Sequence, residues 1–130
     1  MTLVCMLTHP LSRGSVHLAC SDPLAPPSID PNYFENEADL DFVVHILQRA
    51  LQLLKTRPLS TLVKGAKWPP QELLDRGKQG LQEFIKDNAR PVYHPVGTAA
   101  MMPREDGGVV DANLKVYGTS NLRVVSSIRV

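Results

Sequence analysis

The stretch that decides the fold is residues 93–125, which read YHPVGTAAMMPREDGGVVDANLKVYGTSNLRVV. It begins with a histidine held by the proline after it, because proline restricts the preceding residue to extended conformations. We therefore expect His94 to be presented from a strand end or a loop, not from inside a helix. Gly97 allows close approach of another backbone or of a flat ligand. A histidine exchanges protons near neutral pH, so His94 is a candidate acid/base, although a histidine in an apolar setting is more often structural.

The order of motifs in this stretch is more specific than the histidine alone. HPVGT, MMPRE, GGVVD and LKVYGTSNLRVV follow one another. In this order they resemble the C-terminal part of the glucose–methanol–choline (GMC) oxidoreductases, and most of all the fungal aryl-alcohol oxidase and glucose oxidase-like branch. Residues 7–35 also resemble the family's substrate-domain hairpin and the segment after it. Between these two stretches the resemblance rests on the helical pattern alone.

The resemblance implies FAD as cofactor and a small-molecule alcohol as substrate. In the family, the histidine of the HPVGT-type motif lies before the flavin ring and handles the alcohol proton while hydride passes to the flavin; here that position is His94. By the same resemblance, Gly97, Thr98, Val125 and Ser126 line the flavin. The implied activity is that of an FAD-dependent alcohol oxidase or dehydrogenase acting on CH–OH groups.

The resemblance also implies a fold and its division. We expect an α+β fold in which antiparallel strands of a substrate-binding-type domain pack with helices, followed by C-terminal strands that in the family rejoin the FAD domain. The whole of residues 1–130 is then a GMC C-terminal-like region. About 1–95 form the substrate-domain portion, and about 96–130 form the portion that contacts the FAD domain.

Three departures from the family pattern are present in the sequence. No GxGxxG loop, which would hold the FAD pyrophosphate at a helix N-terminus, can be formed from its eight glycines. The Asp that in the family follows the last strand is replaced by Ser126, and the family's second active-site residue would lie past Val130. Two interpretations follow. In the first, the chain is the C-terminal, catalytic-histidine portion of an oxidoreductase and is completed by an N-terminal FAD-binding chain or domain. In the second, it is a truncated, catalytically silent relative that acts as a binding or packing module.

Length and composition limit the other function classes. A chain of 130 residues is long enough for one domain with a modest core. Its formal net charge is +1 and its basic residues are scattered, which argues against nucleic-acid binding. No apolar run approaches membrane-spanning length, and the apolar start indicates a strand and not a signal peptide, so the compartment stays unknown. Eleven prolines are typical of a piece that packs on something larger.

The N-terminal third predicts a β-hairpin. Leu3–Thr8 and Ser15–Cys20 have strand composition, and Arg13-Gly14 supplies turn chemistry between them. Residues 21–36, rich in Pro, Asp, Asn and Ser, predict an irregular connection. Cys5 and Cys20 could face each other across the hairpin, but two thiols without a secretion signal are more often reduced.

Metal ligation is not predicted in this chain. His9 and His17 flank the predicted hairpin, yet they lack ligand partners at a fixed spacing.

Two helical stretches follow. Residues 37–55 place apolar side chains at helical spacing, with Asn36 as a plausible N-cap and acidic residues in the first turn. Residues 71–88 predict either one helix or two short ones, because Gly77 and Gly80 weaken the middle. We expect the hairpin to pack against the first helix through its apolar stripe, at Leu40, Leu47 and Leu51.

Beyond the histidine, the sequence predicts short β segments at 109–110, 114–117 and 122–125, with a polar turn over 103–108. We expect His94 on an exposed concave face near Gly97, Thr98 and the end of the last of these segments.

Overall fold

The computed structural model describes residues 2–125 and divides them into two compact units. The first unit runs through Gly14 and continues over Ile29–Ala89. The second unit comprises Ser15–Ser28 and the chain from Arg90 onward. The first unit carries the helices, and the second carries the HPVGT motif.

Four helices form in the first unit: α1 (Glu37–Leu53), α2 (Leu59–Leu62), α3 (Gln71–Asp75) and α4 (Gly77–Asn88). The long helix is the one that the sequence predicts best. Asn36 has an extended backbone and its side-chain Oδ1 accepts a hydrogen bond from the N–H of Ala38 at 3.0 Å, which satisfies one of the unpaired donors of the first turn. The predicted N-cap is therefore confirmed, and the helix ends two residues before the predicted Lys55.

The core of this unit lies between α1 and α4. Leu40 and Val44 of α1 are buried together with Leu81 and Ile85 of α4. Burial of each such side chain stabilises the fold by about 1.5–3 kcal/mol. The apolar stripe of α1 thus has a helix as its partner, and the prediction that it packs against a hairpin is wrong. Side chains that pack around this core and are partly buried are Phe34, Val43, Leu47, Leu51, Leu74 and Phe84.

The two glycines of the second helical stretch have different roles. Gly77 has a φ of 60°, and the helical run breaks there into α3 and α4, as one of the two predicted alternatives requires. Gly80, in contrast, is buried inside α4. A Cβ on Gly80 would lie 1.9 Å from the carbonyl oxygen of Leu73, so the missing side chain lets α3 approach α4 closely.

Replacing Gly80 by alanine is expected to destabilise the protein by about 1–3 kcal/mol, because the new methyl group meets a backbone carbonyl that cannot move away cheaply. Helix propensity alone predicts the opposite sign, a gain of up to about 1 kcal/mol. The free energy of unfolding in urea distinguishes the two. Gln79→Ala, at an exposed position of the same helix, is the matched control and should be nearly neutral. A Gly80→Ala protein as stable as the parent would show that α3 and α4 do not pack this closely.

The predicted N-terminal hairpin does not form. No strand is present over Leu3–Thr8, and only Ser15–His17 (β1) of the second predicted strand is extended in a sheet. Its partner is Ser28–Asp30 (β2), which lies in the stretch predicted to be irregular, and the two strands form an antiparallel sheet.

Contacts of residues 11–14 with the start of α1 explain this difference. The carboxylate of Asp39 accepts hydrogen bonds from the backbone N–H groups of Leu11 and Ser12 at 2.8 and 2.7 Å. Gly14 lies so close to the β2 end that a Cβ on it would be 2.2 Å from the carbonyl oxygen of Asp30. The residues expected to form a hairpin turn are therefore held against the 30–39 segment. The prediction of a turn at Arg13-Gly14 failed because these contacts are distant in sequence.

Two further observations complete the fold. Cys5 and Cys20 are free thiols. Within residues 2–125, no helix has both the length and the apolar character needed to cross a membrane.

Candidate functional site

The HPVGT motif precedes a hydrogen-bonded frame centred on Val110, the most completely buried side chain of this unit. Val110 is bridged to Met101 in parallel and to Val116 in antiparallel orientation. The carbonyl oxygen of Ala100 accepts the N–H of Val109 at 2.9 Å. A third bridge joins Lys115 to Arg123, so the predicted short β segments are present as bridges and not as full strands. The chain after the motif is therefore firmly anchored.

A short turn lies within this hydrogen-bonded frame. Residues Arg104–Asp106 form a 3-10 helix in the predicted polar turn, and Gly107 ends it with a φ of 86°. The phenolic O–H of Tyr117 donates to the carbonyl oxygen of Met102 at 3.0 Å. Gly108 passes the same carbonyl so closely that a Cβ would lie 1.9 Å from it. The turn that follows Met102 therefore requires glycine at both Gly107 and Gly108.

His94 is exposed, as predicted, and its ring has no hydrogen-bond partner among residues 2–125. The backbone on each side of His94 has an unusual or restricted conformation. Pro95 restricts His94 from the C-terminal side. On the other side, Tyr93 has a φ of 60°, which is rare for an aromatic residue, and its side chain is 89% exposed. Sequence reasoning missed this conformation of Tyr93, because tyrosine carries no signal for a left-handed backbone.

The other predicted site residues lie in the same unit as His94. Gly97, Thr98 and Val125 are exposed, and within the described part of the chain no hydrogen bond joins any of them to His94. Ser126 lies outside the described residues. The expectation of a shared concave face around these residues stays a prediction.

The local geometry at Gly97 is compatible with a flat cofactor ring. Gly97 has a φ of 97°, and no atom lies within 4 Å of the position that a Cβ would occupy. Gly97 and Thr98 thus present accessible backbone next to His94. An open backbone of this kind permits contact with one face of a planar ring, whereas the sequence offers no loop for a dinucleotide pyrophosphate.

Cys5 and Asp39, two titratable groups of the first unit, have shifted pKa values. Burial raises the pKa of the Cys5 thiol. The carboxyl of Asp39 has a pKa below its usual value: burial raises it, but hydrogen bonds from Leu11 and Ser12 and the charge of Arg13 together outweigh this. Over residues 2–125, no group of three or more His, Cys, Asp and Glu side chains is arranged to hold a metal ion.

A groove of the first unit was not predicted from the sequence. It has a volume of about 380 Å³ and lies along the C-terminal half of α1. Its lining contains Lys64, Lys67 and Trp68 and no residue of the HPVGT motif. A signal was present in the sequence, since residues 42–71 contain five basic residues and no acidic one.

Comparison with known proteins identifies relatives over almost the whole chain. The GMC oxidoreductase family model matches residues 10–127. The GMC oxidoreductase family protein Mala s 12 of Malassezia sympodialis is 42% identical over 121 residues, which cover 93% of this chain and 19% of the relative. A glucose oxidase of Aspergillus carbonarius is 42% identical over 118 residues, covering 89% and 20%.

Solved structures agree with the sequence comparison. A fungal aryl-alcohol oxidase superposes with a TM-score of 0.73 at 37% identity and covers 92% of this chain and 20% of its own. An Aspergillus oryzae formate oxidase superposes with a TM-score of 0.80 at 31% identity, covering 93% and 21%. The chain spans about a fifth of the length of these relatives. It therefore belongs to the GMC oxidoreductase family, whose C-terminal region it matches.

Proposed function

We propose that this chain supplies the C-terminal, catalytic-histidine portion of an FAD-dependent oxidation of alcohol CH–OH groups, with His94 as the proton acceptor. The observation that carries the proposal is an exposed His94 in an HPVGT motif, with no partner among residues 2–125 to occupy its ring nitrogens. A structural histidine would be expected to use its ring nitrogens in internal hydrogen bonds.

For this reaction, His94 must be accessible to the substrate and must point towards its hydroxyl group. Oxidation of an alcohol to a carbonyl removes a proton from oxygen and a hydride from carbon. A bound flavin supplies the hydride acceptor. His94 accepts the hydroxyl proton on a ring nitrogen, for which imidazole is suited near neutral pH. Pro95 restricts the backbone of His94, and no carboxylate of residues 2–125 is hydrogen-bonded to its ring.

Four residues are proposed to line the flavin: Gly97, Thr98, Val125 and Ser126. Gly97 supports this assignment best, because its open, side-chain-free backbone permits contact with a planar ring. The substrate-domain portion, about residues 1–95, would hold the alcohol, and the portion from about residue 96 would face the FAD domain.

The 130-residue polypeptide expressed alone is expected to bind no FAD and to oxidise no alcohol. Its sequence lacks the GxGxxG loop, whose backbone donors and helix dipole hold the pyrophosphate in dinucleotide-binding folds. Flavin absorbance of the purified polypeptide and a screen of aryl and aliphatic alcohols check this expectation. Stoichiometric FAD together with turnover from this polypeptide alone would contradict it.

A segment swap tests the proposed function itself. The matching C-terminal segment of the Aspergillus carbonarius glucose oxidase is replaced by this chain, which is 42% identical to it over 118 residues. We expect the swapped oxidase to retain FAD and to convert at least one of glucose, aryl alcohols or aliphatic alcohols to the carbonyl product. A folded, FAD-loaded swapped oxidase that oxidises none of them would refute the proposal.

A further inference from the structure

The end of α1 and the connection that follows it carry an unbalanced positive charge. Residues 49–68, which we call the basic segment, contain five of the 14 basic residues of the sequence, whereas all 13 acidic residues lie outside it. Because the whole chain has a formal net charge of +1, the remainder of the chain is net acidic. The five basic residues, all of them exposed, are Arg49, Lys55, Arg57, Lys64 and Lys67. A charge concentrated in this way indicates an anionic partner.

These cations have no counter-ion within the protein. Over residues 2–125, no carboxylate forms an ion pair with a side chain of the basic segment. Arg49 donates a hydrogen bond only to the neutral amide of Gln52, at 3.3 Å. By contrast, Lys78 on α4 is paired with Asp41 at 2.9 Å. The charge of the basic segment is therefore available to an external ligand.

Large apolar side chains are exposed among the same cations. Leu62 is 76% exposed, and the short helix α2 to which it belongs contains no buried residue. Trp68 is 62% exposed and lines the groove beside α1 together with Lys64 and Lys67. Leu53, near the end of α1, is exposed as well. The segment thus combines cations, leucines and an indole, which is the composition of a surface that contacts the headgroup region of a bilayer.

We propose that the basic segment is a contact surface for a bilayer that contains anionic phospholipids, with Lys64 and Lys67 at the headgroup phosphates and Leu62 and Trp68 in the interface. A cation near an anionic bilayer strengthens binding by about fivefold, and an indole is stable where apolar and polar regions meet. A nucleic acid would bind the same cations, but its phosphate backbone offers no apolar region to Leu62. The inference is independent of the oxidation chemistry, since the segment contains no residue of the HPVGT motif.

Cosedimentation of the 130-residue polypeptide with vesicles tests the electrostatic part. We expect vesicles with equal parts of phosphatidylglycerol and phosphatidylcholine to bind it at least about tenfold more tightly than phosphatidylcholine alone. Lys64→Glu with Lys67→Glu should weaken binding to the anionic vesicles by at least about tenfold. The matched control, Lys86→Glu with Arg104→Glu, makes the same change in net charge at exposed positions outside the segment and should have a much smaller effect.

A leucine substitution tests the apolar part. Leu62→Gln should weaken binding to the anionic vesicles by at least about threefold, because the side chain no longer gains from leaving water. Leu24→Gln makes the same change at a side chain that is 90% exposed and lies in the other compact unit, and it should leave binding nearly unchanged. Both leucines are exposed, so neither substitution should shift the midpoint of thermal unfolding.

The segment must also be accessible in a complete oxidoreductase fold. The vesicle measurement is therefore repeated with the FAD-loaded segment-swapped oxidase, with and without the reversal of Lys64 and Lys67. We expect binding to the anionic vesicles that depends on these two lysines. Bound flavin shows independently that the swapped oxidase is folded.

Four results would overturn the proposal. The first is equal binding, or no binding, to the two kinds of vesicle. The second is binding to the anionic vesicles that survives reversal of both lysines. The third is loss of the lysine-dependent binding in the swapped oxidase, because the rest of the fold would then cover the segment. The fourth is binding that depends on the lysines but not on Leu62 and is equally tight for duplex DNA, which would indicate a general polyanion surface.

Discussion

Replacing His94 by alanine in the segment-swapped oxidase is expected to lower kcat by about 10²–10⁴-fold while FAD stays bound. The ring nitrogen accepts the hydroxyl proton as the bond to hydrogen breaks, so its contribution is made in the transition state and not on substrate binding. The Michaelis constant should therefore change far less than kcat. Steady-state kinetics with the best alcohol or sugar, normalised to bound flavin, measure both quantities.

His45→Ala is the matched control for this experiment. His45 is an exposed histidine on α1, in the other compact unit, and its removal should leave kcat within about twofold of the parent. A His94→Ala oxidase with unchanged kcat would remove the basis for a proton-transfer role. A variant that loses its FAD instead would place His94 among the residues that hold the cofactor.

Replacing Asp39 by asparagine is expected to destabilise the protein by about 2–4 kcal/mol above pH 5. Asp39 is 1% exposed and accepts three hydrogen bonds, from the N–H groups of Leu11 and Ser12 and from the Ser12 hydroxyl at 2.5 Å. The Ser12 oxygen in turn accepts the N–H of Asn36 at 3.1 Å. An asparagine has one acceptor oxygen, and its amide N–H groups would face the donors of the 11–12 segment. Urea unfolding measures the loss.

The pH dependence of this effect has a definite sign. The folded-state pKa of Asp39 is lowered relative to the unfolded chain, where an aspartate titrates near about 3.9. The charged form is therefore favoured by folding. Its contribution is fully present above the unfolded pKa and is lost as the pH falls through the folded one. The difference in unfolding free energy between the parent and Asp39→Asn should shrink below about pH 4.

Asp41→Asn, two residues further along α1, is the control. The pKa of Asp41 is also lowered, mainly by its hydrogen bond from Lys78. This pair, however, lies at the surface, where water and salt screen it, so its loss should have a much smaller effect. Equal destabilisation by the two substitutions would contradict the assignment of Asp39 as the residue that clamps the N-terminal segment to α1.

The sequence predicted those elements whose signals are local. The α1 helix carries its own N-cap at Asn36 and a periodic apolar stripe, and it forms within two residues of the expected bounds. Gly77 was compatible with one continuous helix or with two short ones, and its positive φ agrees with two short helices. The family was recognisable because the HPVGT, GGVVD and YGTSNLRVV motifs occur in a fixed order.

Contacts between distant residues were not predictable in the same way. The clamp from Asp39 to Ser12 spans 27 positions, and no periodicity signals it. Strand composition at residues 3–8 was read as half of a hairpin, since composition does not specify a partner. Gly80 appeared to weaken a helix, yet its role depends on a carbonyl of the preceding helix. For the candidate site, the motif identified His94, whereas the conformation of Tyr93 became visible only in three dimensions. The groove beside α1 was not predicted, although its basic residues are apparent in the sequence.

The central claim is that His94 of this chain accepts the proton when an alcohol is oxidised. The most direct measurement is anaerobic mixing of the FAD-loaded segment-swapped oxidase with its best substrate, followed by the loss of oxidised-flavin absorbance. This isolates the oxidation of substrate from later steps of turnover. We predict rapid bleaching with His94 present and a rate constant lower by about 10²–10⁴-fold in His94→Ala. Equal bleaching rates in the two proteins would contradict the account.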